Sequence, residues 1–378
     1  MSNNKINKKD IIIISAINLR SGGSLTILRN CLNFLSGSPI SKNYRIIALV
    51  HNKNLCNFPN IEYLEFPKSI KSYFLRIYYE YFYFKKLSKK LNPYLWLSLH
   101  DITPSVKAER RAVYMHNPSV FNKLKISDLK FDKTYILFSL FYKYLYKINI
   151  KKNKFCIVQQ KWLKGALSEK LKIDETKFIV AKPEDQTKNI ENISFNIQFK
   201  RKNYVNFFFP SLPRPFKNFE TVCEAAKIIY ENRIKDIKIF LTIDGSENSY
   251  SKYIYNKYKQ IPNIKFTGLI PSEEMNDWYS KMDVLIFPSR LETWGLPISE
   301  FKATGKPMIL ADLPYAKETA EGANHVAYFN PNDAKKLANL IIELYSHNVY
   351  HFSSQPVADD NMNNIISGYE DLFKTLLS

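Results

Sequence analysis

A chain of 378 residues with 45% hydrophobic content exceeds what one core usually organises, so two soluble domains of similar size are expected. Four scattered cysteines (Cys31, Cys56, Cys156, Cys223) form no C-x-x-C pair and no metal-type spacing, and read as buried free thiols of a reducing cytoplasm. The net charge of +20 lies in the first half: residues 1–200 hold 35 basic against 14 acidic residues, and residues 201–378 hold 20 against 21. An abundance of Lys throughout does not explain a neutral second half, so the asymmetry points to an anionic partner for the first half alone.

The apolar run Ile11–Ile17 follows a basic start, but it is short and leads into a glycine turn, unlike a secretory signal. It reads as a strand, and Asn18-Leu19-Arg20-Ser21-Gly22-Gly23-Ser24 carries the chain into a helix over Ser24–Leu35. Further strands are expected at Arg45–Val50, Ile61–Phe66, Tyr94–Leu99, Arg111–His116, Phe155–Gln159 and Phe178–Ala181, with a helix over Ser72–Leu91. Several are continuous apolar runs, as in parallel strands covered on both faces. Tyr135–Ile150 is interrupted by Lys143 and Lys147 and falls short of the ~20 apolar residues of a membrane span.

Polar sequence from Glu184 to Asn203 reads as a linker. Alternation then restarts, with strands at Tyr204–Phe209, Ile237–Ile243, Ile264–Gly268, Val284–Phe287, Met308–Ala311 and Ala327–Phe329. Helices fit Glu220–Tyr230, Ser272–Ser280, Pro297–Ala303 and Ala334–Tyr345, and a last amphipathic helix fits Asn364–Leu377. The expected architecture is α/β, two doubly wound Rossmann-like domains: residues 1–195, residues 204–350, and a tail 351–378 that packs back on the first domain. Ligands of such sheets sit at the carboxyl ends of strands.

Two segments carry the chemistry. Pro288-Ser289-Arg290-Leu291-Glu292-Thr293-Trp294-Gly295-Leu296-Pro297-Ile298-Ser299-Glu300 follows an apolar strand and enters a helix with Pro297 in its first turn. Backbone amides near Gly295 and Leu296 then suit a diphosphate, with one carboxylate before the helix and one about a turn inside it. Pro210-Ser211-Leu212-Pro213-Arg214-Pro215-Phe216-Lys217-Asn218 is a stiff loop presenting Arg214 and Lys217, a cationic pair fit for a diphosphate and for the charge growing on a leaving nucleotide. Taken alone, the first segment reads more readily as an ordinary strand-turn-helix with two solvated glutamates.

Together they resemble glycosyltransferase family 4, the large retaining GT-B family, through its E-x7-E signature. Lys306-Pro307-Met308-Ile309-Leu310-Ala311-Asp312-Leu313-Pro314-Tyr315-Ala316-Lys317-Glu318 continues the similarity into the family's following strand and loop. The resemblance implies a GT-B fold whose two domains face each other across a cleft. It implies that Glu292 meets the donor sugar hydroxyls and Glu300 the nucleotide ribose, with Thr293, Gly295, Leu296 and Pro297 in the donor-binding turn. Arg214 and Lys217 are similar to the family's phosphate clamp, although their spacing is tighter than is usual there. Gly22 and Gly23 resemble its glycine-rich first loop, which faces the donor; they permit close backbone approach, and the loop is not the G-x-G-x-x-G of a nicotinamide site.

His116 ends a strand and is stopped by Asn117-Pro118, where the family often carries His-Asn or His-His close to the reacting sugar. His116 is therefore expected to orient donor or acceptor hydroxyls, with Asn117 beside it. Asp101, after Leu99-His100, either binds an acceptor hydroxyl or caps a turn. Gln159–Lys164 resembles another family element whose role is packing. No D-x-D triplet occurs, which fits a metal-independent mechanism requiring no cofactor.

The resemblance implies a UDP-, GDP- or dTDP-sugar donor and a glycan acceptor, carried on polyprenyl diphosphate, in bacterial surface polysaccharide (O-antigen or capsule) synthesis. Ser72–Lys90 and Phe141–Lys154 mix aromatic residues with lysines, which suits the anionic inner face of the plasma membrane. Two rivals are a GT-B sugar-nucleotide epimerase and a nucleic-acid-binding protein. Against the latter, no nucleic-acid fold or zinc spacing is present and the strongest motifs lie in the neutral half.

Overall fold

The computed structural model describes residues 9–20, 22–121, 131, 142, 144–183, 204–356 and 365–378. They divide into two compact units, one of residues up to Val120, from 142 to 183 and from 365 to 378, the other centred on residues 204–356. The linker expected over Glu184–Asn203 and part of Tyr135–Ile150 lie outside the described residues. Among the described residues no helix is long and apolar enough to cross a membrane.

The first unit is built on β-branched runs that bury completely. Its elements are β1 (Ile11–Ala16), α1 (Gly22–Gly37), α2 (Ile40–Asn43), β2 (Arg45–Val50), β3 (Glu62–Glu65), α3 (Tyr73–Tyr78) and α4 (Phe84–Leu91). They continue with β4 (Leu95–Ser98), β5 (Arg110–Met115), β6 (Phe155–Val158), α5 (Lys161–Leu171) and β7 (Phe178–Lys182). The C-terminal strand β14 (Ile365–Ser367) and helix α12 (Gly368–Leu377) complete it. The sheet is parallel throughout, in the order β14-β7-β6-β5-β4-β1-β2-β3.

Two expectations change here. Asn364–Leu377 is not one helix: Ile365 and Ile366 pair with Val180 and Ala181 on β7, and Gly368, at φ +83°, turns the chain into α12. β-branched residues beside an open strand edge favour pairing over helix. The Ser72–Leu91 helix is divided by a π turn over Tyr79–Tyr83. Its inward row is Arg76, Glu80, Phe84 and Ser88, and each four-residue step overshoots an α-helical turn by about 40°. The wider π turn takes up that excess and keeps the row on one face.

The second unit repeats the plan with β8 (Val205–Phe209), α6 (Phe219–Glu231), β9 (Ile237–Leu241), α7 (Ser249–Tyr258), β10 (Ile264–Phe266) and α8 (Met275–Lys281). After these come β11 (Val284–Phe287), α9 (Leu296–Lys302), β12 (Met308–Ala311), α10 (Pro314–Thr319), β13 (Val326–Phe329) and α11 (Ala334–Tyr345). The parallel order β10-β9-β8-β11-β12-β13 is that of a Rossmann sheet, reversing between β8 and β11. Residues 351–356 stay with this unit, where Ser353 bridges Val326.

Helices α2, α5, α7 and α10 have no counterpart among the expected elements. α7 opens on a capping box made by Asn248 and Ser251, in which Ser stands where Glu or Gln marks the motif in sequence. The run after Asp312, expected as strand and loop, becomes α10, with Pro314 in its first turn. All four cysteines are buried free thiols, and burial pushes the Cys156 thiol up to about 12 against the opposing charge of Lys177.

Candidate active site

In the second unit the sheet order reverses between β8 and β11, and both sequence motifs leave the sheet there. The loop after β8 ends in a short 3-10 turn, Pro215–Lys217, closed by Asn218 at φ +69°. The loop after β11 runs from Pro288 to Gly295. Asn218 is fully buried and joins the two. Its amide nitrogen donates to Pro288 O at 3.1 Å and Pro331 O at 2.6 Å, and its oxygen accepts from Thr221 Oγ1 at 2.9 Å and from the Arg290 guanidinium. The Arg290 backbone N–H donates to Phe216 O at 2.8 Å. Buried polar side-chain atoms are in the large majority hydrogen-bonded, and these bonds fix one loop against the other.

That weld brings Lys217 and Glu292 together. Lys217 Nζ donates to Glu292 Oε1 at 2.5 Å, with both side chains mostly buried. The ammonium also lies 5.6 Å from the ring centres of Phe216 and Phe287, close enough for a cation–π contribution. Arg214, three residues earlier, is exposed at the head of the same turn, and its carbonyl accepts from the Lys217 N–H at 2.9 Å.

Gly295 precedes α9 at φ +88° and is buried. A Cβ there would lie 3.2 Å from Ile298 Cδ1 and 3.5 Å from rings of Phe287 and Tyr315, so both dihedral and space call for glycine. Leu296 and Pro297 form the first turn, and Trp294 O accepts from Thr319 Oγ1 on α10. Thr293 is half-buried between these and Glu292. Tyr315 OH donates to Ser289 O at 2.7 Å, which ties the next helix to the same loop.

Glu300, five residues into α9, is half-buried, and its Oε2 accepts from the buried Tyr279 hydroxyl at 2.6 Å. Burial pushes the Glu300 carboxyl above the usual carboxylate range, and the Tyr279 hydrogen bond opposes that rise. Tyr279 is itself held edge-on against Phe208 and Phe301. Its helix end is capped by Lys306 Nζ, which donates to Tyr279 O, Ser280 O and Met282 O. Tyr279, Arg290 and Tyr315 were not anticipated from sequence. Tyr279 lies outside the spaced motifs, and Arg290 and Tyr315 lie within the quoted runs but were given no role there; no local pattern distinguishes a tyrosine that donates to a distant acceptor from one in the core.

In the first unit the order reverses between β4 and β1. His116 follows β5, half-buried, and its Nε2–H donates to Leu99 O at 2.9 Å. Asp101, at φ +69°, is buried and its Oδ1 accepts the backbone N–H groups of His116 at 2.7 Å and Asn117 at 2.9 Å. Of the two roles open to Asp101 in sequence, the geometry is that of a turn cap, with the other oxygen 3.4 Å from Tyr142 OH. Gly22 and Gly23 are exposed at the start of α1. A Cβ on Gly22 would meet nothing within 4 Å, so its glycine is required by φ +61° and not by close strand–helix approach, as the sequence suggested.

Residues 189–353 match the model of glycosyl transferases group 1. Over 232 residues the chain is 24% identical to the O-antigen chain mannosyltransferase RfbU of Salmonella typhimurium, covering 61% of this chain and 60% of that protein. The match thus spans less than two thirds of the relative's length. In fold, the chain is similar to WaaG, a glycosyltransferase involved in lipopolysaccharide biosynthesis, with TM-score 0.64, 12% identity and coverage of 89% and 90%. It is also similar to Anabaena HepE solved with UDP-glucose, with TM-score 0.58, 14% identity and coverage of 90% and 92%. The two parallel sheets are those of a GT-B fold, and residues 189–353 are similar to glycosyl transferases group 1.

Proposed function

We propose that this chain is a retaining glycosyltransferase that moves a hexose-type sugar from a nucleoside diphosphate to a glycan acceptor in bacterial surface polysaccharide synthesis. The observation that carries the reading is the Lys217–Glu292 pair at the reversal point of the second sheet. A cation and a carboxylate held there can divide a sugar diphosphate between them. Lys217, with Arg214, exchanges its carboxylate for the donor phosphates, and Glu292 is released to accept hydrogen bonds from the sugar hydroxyls. Gly295, Leu296 and Pro297 shape the turn beneath the diphosphate, Thr293 lines it, and Glu300 accepts from the ribose.

In the transfer, the bond from the anomeric carbon to the leaving phosphate oxygen breaks as the acceptor hydroxyl bonds to that carbon on the same face. The acceptor proton passes to the departing phosphate, and Lys217 and Arg214 stabilise the growing negative charge. In the first unit, His116 and Asn117 orient donor or acceptor hydroxyls, and Gly22 and Gly23 leave room for the donor. Asp101 acts through the turn it caps. The likeness to HepE solved with UDP-glucose supports a nucleotide-sugar donor, and the O-antigen name of RfbU supports a glycan acceptor. The proposed acceptor is carried on polyprenyl diphosphate at the inner face of the plasma membrane.

Thermal-shift screening of UDP-, GDP- and dTDP-sugars, mannosyl donors first, followed by assay of acceptor-dependent release of nucleoside diphosphate, tests this reading. Stabilisation by one nucleotide class and release that requires acceptor are expected. No stabilisation by any donor, or interconversion of the sugar nucleotide without transfer, would contradict it.

A further inference from the structure

The segment from Pro67 to Leu91 buries two charged side chains and exposes a row of aromatic rings. Its charged pair Arg76 and Glu80 is buried, and the Glu80 carboxylate meets the equally buried His100 ring at 2.5 Å. On the opposite face Phe74 is 85% exposed, Tyr78 50% and Phe82 62%, at successive four-residue steps. Tyr78 and Phe82 stack on one another, with centroids 6.2 Å apart and planes 14° apart. Ile70 and Tyr83 are also exposed. A helix that faces water does the reverse, with rings inward and charges outward. Six lysines of the same segment, Lys68, Lys71, Lys85, Lys86, Lys89 and Lys90, are exposed, and its one acidic residue is the buried Glu80.

We infer that this face docks on an anionic lipid bilayer, with Phe74, Tyr78 and Phe82 entering the boundary between headgroups and acyl chains and the lysines meeting lipid phosphates. A nucleic acid would match the lysines but leave the phenylalanine rings in water, and an apolar protein groove would match the rings but strand the lysines. A bilayer surface satisfies both, because lysine stems lie along apolar surface while their ammonium groups reach the headgroups. The inward face of the segment is tied to the turn that carries His116. Arg76 Nη2 and Tyr142 OH each donate to His100 O at 3.4 Å, and Asp101, next in sequence, holds the His116 N–H. Docking through the aromatic stripe therefore sets the height of His116 above the membrane, where a lipid-carried acceptor lies. The inference deepens the membrane part of the proposed function and is independent of the donor site.

The test is flotation of the full chain with vesicles of phosphatidylglycerol and phosphatidylcholine in equal parts, against vesicles of phosphatidylcholine alone. Wild type is expected to float with the anionic vesicles and to be released by high salt. The F74S/F82S and K85Q/K86Q variants are each expected to bind about tenfold or more weakly, with an unchanged Tm because these side chains are exposed. Equal binding by F74S/F82S and wild type would overturn the assignment of this face while sparing membrane association. No binding by wild type would overturn both. A salt-sensitive gel shift with an RNA oligonucleotide, abolished by K85Q/K86Q without vesicle binding, would assign the face to nucleic acid instead.

Discussion

Lys217 and Glu292, 75 residues apart in sequence, form a 2.5 Å ion pair where the sheet order of the second unit reverses. Both side chains are largely buried, so removing either leaves an uncompensated charge. Lys217→Ala should lower stability by about 1–3 kcal/mol and raise the donor KM by about tenfold or more. The K217M/E292Q double variant should be destabilised by less than the sum of the single changes, because neither charge is then left alone. Urea denaturation of the four proteins of this cycle checks the coupling.

Tyr279 OH holds Glu300 Oε2 at 2.6 Å, which leaves the other oxygen for a ligand. Tyr279→Phe keeps the ring in its edge-on contacts and removes that restraint. Nucleotide affinity should fall by about 3- to 10-fold, with KM rising and kcat nearly constant. Isothermal titration with the nucleoside diphosphate reads the first, and steady-state kinetics reads the second.

Burial raises the Glu300 carboxyl above its ordinary value, so its pH dependence has a definite sign. Nucleotide binding that uses the carboxylate should weaken as pH falls through the raised value, at a pH above the usual carboxylate range. Tyr279→Phe should move this acid limb further up, since the hydroxyl opposes the rise, and Glu300→Gln should abolish it. Stability runs the other way. The folded state with a raised acid is favoured at low pH and loses that advantage as pH rises through the raised value. Glu300→Gln, which never ionises, should therefore gain about 1–2 °C in Tm at neutral pH while binding nucleotide less well. Thermal melts across pH 4–8 check both trends.

Asn218, which closes the loop after β8, is buried, left-handed in φ, and hydrogen-bonded to four groups, of which Pro288 and Arg290 belong to the loop after β11. Asn218→Ala leaves those partners unsatisfied and places a Cβ residue where φ is +69°. A loss of about 2–4 kcal/mol is expected, together with a fall in donor affinity as Lys217 loses its fixed position. Asn218→Gly, which relieves only the dihedral, should lose nearly as much.

Most strands were legible because Ile, Val and Phe runs such as Ile11–Ile14 and Val284–Phe287 bury on both faces, and such runs have one reading when flanked by turns. The spaced motif around Glu292 was legible because its residues are consecutive. What was not legible depends on partners remote in sequence. The strand at Ile365–Ser367 exists because β7 has an open edge, and the π turn at Tyr79–Tyr83 exists because Arg76 and Glu80 have a buried partner in His100. The roles of Tyr279 and Arg290 likewise follow from contacts that no local pattern announces, whereas turn capping by Asp101 was one of the two readings its sequence offered.

The division of labour between Glu292 and Glu300 is the central claim, and one paired measurement tests it. With the donor identified, kcat and nucleotide Kd are determined for Glu292→Ala and Glu300→Ala. Glu300→Ala should weaken nucleotide binding by about tenfold or more with a smaller effect on kcat, and Glu292→Ala should lower kcat by about a hundredfold with nucleotide Kd nearly unchanged. Normal transfer by both variants, or identical losses in both quantities, would contradict the account.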